Sequence, residues 1–295
     1  MCSSDLILSY VGYSRDEKPF WIINSASQAV PSNIELGSEI YMEFNTRQRF
    51  CIGWHDLETG EIHTCPDHAT LEPKYEQCQK CQASTGFNAA FYNADSVSEV
   101  QQRRNAKPHF VYLAYFSPNF TKVGISFAGR GYARLLEQGA RQAIVLDTFN
   151  SALVARQYEA DISKLGNFVE NVKISKKLEL LSQEYDEEVA KRCLFDAKDV
   201  VEKALDFQFK DPKWLNLDSH YFVADFDKSQ LDNIVDLSGT DKITGRIVGL
   251  VGSTLLCDYQ QTIVALPLKK LTGYPFIMRP EIGEIELPTQ QFSLF

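Results

Sequence analysis

Apolar runs and alternating patterns predict a strand–strand–helix–strand unit in the middle of this chain. Residues 110–116 are all apolar or aromatic, which is typical of a buried strand. The Ser-Pro-Asn turn at residues 117–119 predicts a hairpin to a second strand at residues 121–126. A glycine-bracketed loop then leads into a helix that carries Arg134. Residues 144–149 form a third apolar run, so we expect a small sheet with flanking helices here.

The flanking segments predict an α+β protein. Residues 1–50 favour short strands, Ser151 is a plausible N-cap for a helix over residues 152–165, and residues 176–209 form a long amphipathic helical region. Short glycine-punctuated strands from residue 221 onward indicate a small β-barrel or half-barrel. The predicted organisation is a β-rich module that carries a cysteine group (1–105), a module with a central small mixed or antiparallel sheet and a long helical extension (106–215), a small β-barrel-like module (216–287) and a tail (288–295).

Charge is distributed unevenly along the 295 residues. The formal net charge of −9 argues against a general polyanion binder, so any contact with nucleic acid is expected to be local. Between Arg103 and Arg141 there are seven basic residues and one acid, Glu137. No apolar run approaches the roughly 20 residues of a membrane span, and the N-terminus lacks a secretory pattern. We therefore expect a cytoplasmic protein without a membrane segment.

Four of the seven cysteines are clustered with metal-ligand spacing, C-x13-C-x12-C-x2-C. Zinc takes four nitrogen or sulfur donors in a tetrahedron, and a Cys-x2-Cys turn supplies two of them. Four protein ligands leave no open position, so the pattern predicts a structural zinc site rather than unrelated buried thiols. His55 and His68 could each replace a cysteine. The four predicted ligands are Cys51, Cys65, Cys78 and Cys81.

Residues 109–160 resemble the GIY-YIG nuclease superfamily. The motifs that carry this resemblance are Val111-Tyr112-Leu113 for the first strand element, Lys122-Val123-Gly124 with Ser126 for the second, Arg134 in the first helix and Glu159 in a later helix. The cysteine spacing, together with the segment KVGIS…R…RLLEQGA, resembles a bacterial family of unassigned function over most of the chain.

The superfamily resemblance implies a catalytic constellation for phosphodiester hydrolysis. Tyr112 would help to activate a water molecule, Arg134 would contact the phosphate, and Glu159 would hold a magnesium or manganese ion. Lys122 stands where the superfamily has a second tyrosine. The residues proposed for further contacts with nucleic acid are Lys122, Arg130, Arg104 and Arg141.

The last five residues, QFSLF, resemble the peptide with which bacterial proteins bind the sliding clamp of DNA replication. Leu294 and Phe295 would enter a hydrophobic pocket, and Gln291 would hydrogen bond at a distance. The alternative is a final strand packed on the preceding module. We favour the clamp motif because an exposed terminal Leu-Phe pair otherwise carries a cost.

Three functions follow as hypotheses. The first is a metal-dependent DNA endonuclease of repair or replication that the sliding clamp recruits to DNA. The second is a non-catalytic DNA-structure-binding or adaptor protein on a nuclease-like fold, which predicts salt-dependent binding without turnover. The third is a zinc-stabilised RNA-processing protein.

Overall fold

The chain folds into two large β-sheets, two two-stranded sheets and six α-helices, as seen in a computed structural model that describes residues 6–25, 28–88 and 97–288. The strands of the described residues are β1 (Leu6–Tyr13), β2 (Pro19–Asn24), β3 (Ala29–Asn33), β4 (Glu39–Phe44), β5 (Arg49–Phe50), β6 (Trp54–His55), β7 (Ile62–His63), β8 (Thr70–Leu71), β9 (His109–Ser117), β10 (Phe120–Phe127), β11 (Gln142–Phe149), β12 (Phe168–Val169), β13 (Lys213–Asn216), β14 (Val235–Asp236), β15 (Lys242–Val251), β16 (Thr254–Tyr259), β17 (Thr262–Pro267) and β18 (Pro275–Arg279).

The helices lie mostly in the middle of the chain. Among the described residues, none is long and apolar enough to cross a membrane. The α-helices are α1 (Gln79–Thr85), α2 (Glu99–Asn105), α3 (Ala133–Gln138), α4 (Ala152–Ser163), α5 (Ile174–Leu181) and α6 (Glu187–Leu205).

The predicted central sheet is confirmed and has five strands in the order β12-β10-β9-β11-β13. β9 and β10 form the expected antiparallel hairpin, and β11 pairs with the other edge of β9. Every residue of β9 is buried. Its side chains alternate between two hydrophobic cores, which explains why residues 110–116 are continuously apolar instead of alternating with polar residues.

The second large sheet has nine strands in the order β14-β17-β16-β15-β4-β18-β1-β2-β3. It therefore joins strands from residues 6–44 to strands from residues 235–279, which the sequence suggested were parts of separate modules. β4 pairs with both β15 and β18, and β18 pairs with β1. The barrel-like expectation for residues 216–287 is corrected: in the part of the chain that is described, the sheet stays open, with β14 and β3 at its edges.

The two cores lie on opposite faces of the five-stranded sheet. On one face, Tyr112 and its neighbours on β9 pack with α3 and with the nine-stranded sheet. On the other face, Val111 and Leu113 pack with residues of α4 and α6. The predicted helix after Ser151 is confirmed as α4, and the Ser151 side chain caps it by accepting a hydrogen bond from the Val154 N–H.

The helical region predicted over residues 176–209 is divided into α5 and α6. Asp186 begins α6 as its N-cap, accepting from the Val189 N–H. In the segment between the two helices, the hydroxyl of Tyr185 accepts a hydrogen bond of 2.8 Å from the side-chain amide of Gln142 on β11. The break therefore directs Tyr185 back onto the central sheet, which one continuous helix could not do.

Arg141 stabilises the fold and does not lie on a free surface, contrary to its expected role in binding nucleic acid. Its guanidinium donates two hydrogen bonds, of 2.8 and 3.1 Å, to the Asp218 carboxylate. The two side chains are only 5% and 2% exposed. Lys228 forms a second ion pair with Asp218, and the Arg141 guanidinium lies 3.7 Å from the centroid of the Tyr185 ring. This buried pair joins the end of α3 to the segment after β13.

We expect Asp218→Ala to lower the free energy of unfolding by on the order of 3–5 kcal/mol, because it leaves Arg141 buried without its carboxylate. Chemical denaturation followed by circular dichroism measures the change. Asp211→Ala is the matched control, since Asp211 pairs with Lys213 at an exposed position. Equal effects of the two substitutions would contradict the role given to the buried pair.

Candidate functional site

The four predicted cysteine ligands come together in one small module built around α1. Cys51 follows β5, Cys65 follows β7, Cys78 is the N-cap of α1 and Cys81 lies in its first turn. All four Sγ atoms lie within 4.8 Å of one another. Residues distant in sequence therefore converge on one point, as the spacing predicted.

The geometry of the cysteine group fits a tetrahedral metal ion. Zinc–sulfur bonds of about 2.3 Å place the sulfur atoms of a tetrahedron about 3.8 Å apart, and the Sγ atoms of Cys65 and Cys78 lie 3.9 Å apart. Backbone N–H groups also point at the sulfur atoms. The Cys78 N–H donates to Cys51 Sγ at 3.2 Å, and the Cys81 N–H donates to Cys78 Sγ at 3.5 Å. Such donors favour thiolates, so the group could hold zinc.

Burial opposes thiolate formation at Cys51 and Cys81 while no cation is bound. It raises the pKa of the Cys51 thiol to about 11 and moves the pKa of Cys81 upward in the same direction. A bound dication reverses this preference, because metal ligation deprotonates a thiol. We therefore expect metal binding to release protons and to contribute free energy to the folding of the module.

The alternative histidine ligands are not part of the group. His55 and His68 are both exposed, and within the described residues the metal-capable group consists of the four cysteines alone. His68 lies in the turn after Cys65, where its N–H donates to the Cys65 carbonyl. The sequence left this choice open because both histidines have acceptable spacing, and only the fold shows that they lie outside the group.

Gly53 supports the cysteine group and was not predicted as a site residue. Its φ is +81°, and a Cβ atom at this position would lie 2.0 Å from the His63 carbonyl oxygen. Its N–H bonds to the Cys51 sulfur, and its carbonyl accepts a hydrogen bond of 2.8 Å from the Gln77 side chain. The only sequence signal was a glycine two residues after a predicted ligand.

We expect one zinc ion per chain in the purified protein and its loss in Cys65→Ser. Elemental analysis of the purified protein measures the metal content, and thermal unfolding with and without a chelator measures its contribution to stability. Cys193→Ser is the control, because Cys193 is half-buried near the other core and lies outside the group. Unchanged metal content in Cys65→Ser would rule out the site.

We expect Gly53→Ala to lose metal affinity and stability together, since the new methyl group meets backbone that cannot move away. Gly60→Ala is a closely matched control. Gly60 has a similar φ of +75° but has nothing within 4 Å of the added atom, so it should show only the strain of about 1–2 kcal/mol that a left-handed alanine carries. Equal zinc content and equal thermal unfolding midpoints in the two variants would contradict the role given to Gly53.

A second group of chemistry-bearing residues, the basic cluster, lies beside the five-stranded sheet. Tyr112 lies opposite Gly124 across the β9–β10 pair, and a Cβ atom at Gly124 would lie 2.5 Å from the phenol oxygen. Glycine is therefore required there for Tyr112 to lie flat against β10. The Tyr112 side chain is 1% exposed. The members of the basic cluster are Lys122, Arg130, Arg134, Arg156 and Lys177, together with Glu137, Glu159 and Glu170.

Lys122 and Glu159 are both buried in this cluster. The Lys122 ammonium donates to the Val123 carbonyl at 3.1 Å and to the Glu170 carbonyl. The Glu159 carboxylate accepts from Arg156, whose guanidinium also reaches the Glu170 carboxylate at 3.4 Å. Neither Arg156 nor Glu170 was predicted as a site residue. Because Arg156 pairs with one oxygen of Glu159 and with Glu170, a divalent cation at Glu159 would compete with this arginine.

Arg130 and Arg134 share one carboxylate. Both guanidinium groups pair with Glu137, the single acid of the basic stretch, and Glu137 also accepts a hydrogen bond from the Tyr10 hydroxyl. Tyr10 comes from β1, so the nine-stranded sheet holds the orientation of residues on α3. The side chains of Arg130 and Arg134 remain 34% and 43% exposed. They are therefore accessible to a ligand, unlike Arg141.

Burial sets the protonation states in the basic cluster. It raises the pKa of Tyr112 to about 12, so the phenol is neutral near pH 7. It lowers the pKa of Lys122 to about 8, although Glu159 acts in the opposite direction. It raises the pKa of Glu159 against the influence of Arg156. The charges of Arg134 and Glu159 both act on Tyr112, so the three predicted catalytic residues belong to one electrostatic group.

Arg104 lies between the cysteine module and the basic cluster. Its guanidinium donates to the Leu57 carbonyl at 2.9 Å and lies 4.8 Å from the centroid of the Phe127 ring. Arg103 binds Glu58 of the cysteine module. Helix α2 therefore connects the two sites. The clamp-like residues Gln291, Leu294 and Phe295 lie outside the described residues.

These features define a two-sheet α+β protein with a four-cysteine candidate metal centre and a neighbouring basic cluster. The chain belongs to the family described as protein of unknown function DUF2797, whose model matches residues 37–276. This range includes both sites and confirms the expectation of a family of unassigned function. Comparisons with curated proteins and with solved structures found no match.

Proposed function

We propose that this protein binds DNA through the basic cluster, with the cysteine module as a zinc-stabilised structural support. The observation that carries this proposal is that five cations, from β10, α3, α4, α5 and the loop before α3, are linked by shared carboxylates and by their mutual electrostatic influence, in a protein of net charge −9. They are accompanied by three carboxylates, so the cluster has a local charge of +2 while the chain as a whole is acidic.

The physical chemistry favours a local phosphate contact over general attraction to a polyanion. Arginine and lysine supply the hydrogen-bond donors that phosphate oxygens accept, and Arg130 and Arg134 are partly exposed. The acidic remainder of the chain repels nucleic acid elsewhere, so binding is confined to this face and weakens as salt is added. The proposed QFSLF contact with the sliding clamp would then bring this face to replicating DNA in the cytoplasm.

Metal-dependent hydrolysis of DNA is the second candidate function. The chain order β9-β10-α3-β11-α4 resembles the arrangement in the GIY-YIG superfamily, and the contact of Tyr112 with Gly124 joins the two strand elements. Tyr112 would orient a water molecule through its neutral hydroxyl, Arg134 would stabilise the phosphate charge, and Glu159 would hold magnesium or manganese. The ion pair between Arg156 and Glu159 is why we place binding before cleavage.

We expect the full-length protein to bind labelled duplex, nicked and branched DNA, and Arg134→Glu to weaken binding by roughly tenfold at moderate salt, because it reverses the charge at a phosphate contact. Fluorescence anisotropy measures the affinity. Arg192→Glu is the control, since Arg192 is an exposed arginine on α6, which packs on the face of the sheet opposite α3. Absence of DNA binding, or equal losses in both variants, would contradict the proposal. Competition with RNA of matched shape tests the RNA alternative.

If the protein also cleaves DNA, products should form in magnesium or manganese and disappear in Tyr112→Phe and Glu159→Ala. Gel analysis of the same substrates measures this outcome. Tyr112→Phe keeps the packing against Gly124, and therefore separates the hydroxyl from the fold. Cleavage that persists in both variants would exclude this site, and binding without cleavage by any metal would select the non-catalytic function.

A further inference from the structure

Lys177 on α5 is a basic residue that lies against the central sheet without an acidic partner. Its ammonium is 6.0 Å from the centroid of the Phe116 ring on β9. Within residues 6–25, 28–88 and 97–288, this ammonium group forms no hydrogen bond or ion pair. The adjacent Lys176 differs, because it forms an ion pair with Glu179 one helical turn away. α5 therefore presents one lysine that pairs with a carboxylate and one lysine that lies beside Phe116 of the central sheet.

The charges that act on Lys177 are mainly positive. Arg134 and Lys122 both act on it, and among the described residues the carboxylate of Glu137 acts in the opposite direction. Glu137 already accepts hydrogen bonds from Tyr10, Arg130 and Arg134. Lys122 is held by two backbone carbonyls, which are neutral. Lys122 lies opposite Ala114 of β9, on the face of the central sheet that also carries Phe116, and α3 packs on this same face. Lys177, Lys122 and Arg134 therefore come from three elements that meet on one face of the sheet.

Such an arrangement is unfavourable unless an anion completes it. A buried cation without a counter-charge costs free energy, and neighbouring cations add to that cost. Burial, followed by the charges of Arg134 and Lys122, lowers the pKa of Lys177 to about 8. An ammonium has three donors. Two of those of Lys122 reach carbonyls, which leaves one for a ligand, while Lys177 has its donors available.

We propose that Lys177, Arg134 and Lys122 form a subsite for one phosphate group of bound nucleic acid. The three cations supply donors from α5, α3 and β10 around a single tetrahedral anion, whose oxygens accept several hydrogen bonds at once. This inference rests on the proposed DNA binding, and it extends the site to a residue outside the superfamily-like segment at 109–160. Free phosphate offers the same chemistry, so both sources are tested.

The first test compares Lys177→Met with Lys176→Met in the full-length protein. Loss of one phosphate contact should reduce the slope of log binding constant against log salt concentration by about one for Lys177→Met, with affinity falling roughly three- to tenfold near physiological salt. Lys176→Met should match the parent protein, and Lys177→Arg should restore the slope. An unchanged slope in Lys177→Met, while the parent protein binds DNA, would overturn the subsite and leave the proposed function standing.

The second test uses inorganic phosphate and does not depend on DNA. Phosphate should raise the thermal midpoint of the parent protein and of Lys176→Met relative to chloride at equal ionic strength, whereas Lys177→Met should lose this increase. Without phosphate, Lys177→Met should be at least as stable as the parent, because it removes an uncompensated cation. If the parent binds no DNA but phosphate still raises its thermal midpoint, the phosphate subsite is supported and the proposed DNA binding is contradicted. Equal phosphate effects in all variants would overturn the subsite.

Discussion

Burial of β9 on both faces is the constraint on which the rest of the structure depends. A strand without a solvent-facing side requires a cover on each face of its sheet. Helices α4 and α6 supply one cover, while α3 and the nine-stranded sheet supply the other. The nine-stranded sheet can serve in this way because strands from both ends of the chain join within it. The central sheet therefore determines where the strands of residues 6–44 and 235–279 pack.

The same constraint places the chemistry of the basic cluster. Polar side chains cannot lie in either core without partners. Lys122 and Glu159 therefore lie near the β10–β12 edge of the sheet, where both are buried and hydrogen bonded. Tyr112 stays within the core, where its hydroxyl remains protonated. Tyr10 extends from the covering sheet to Glu137, and Glu137 holds Arg130 and Arg134. The orientation of the cations thus depends on contact between the two sheets.

The cysteine module is stabilised differently from the two large sheets, because it has little apolar core of its own. Three of its cysteines are buried with a few partly buried neighbours, so a bound metal ion would supply most of its cohesion. Its attachment to the rest of the protein is polar. Arg49 donates hydrogen bonds to Thr272, and Arg103 pairs with Glu58. Loss of the metal would therefore loosen the module and also disturb α2, which leads to the basic cluster.

The sequence by itself determined the features that local pattern and spacing encode. These are the β9–β10 hairpin, the helix capped by Ser151 and the four cysteines, since periodicity, turn chemistry and ligand type act over short stretches of chain. Tertiary structure alone decided that β4 lies between β15 and β18, that Arg141 is buried with Asp218, and that Lys177 lies beside Phe116 of β9. These outcomes depend on which distant segments pack together. An arginine on the surface and one in a buried ion pair look alike in sequence, because burial is a property of the assembled fold.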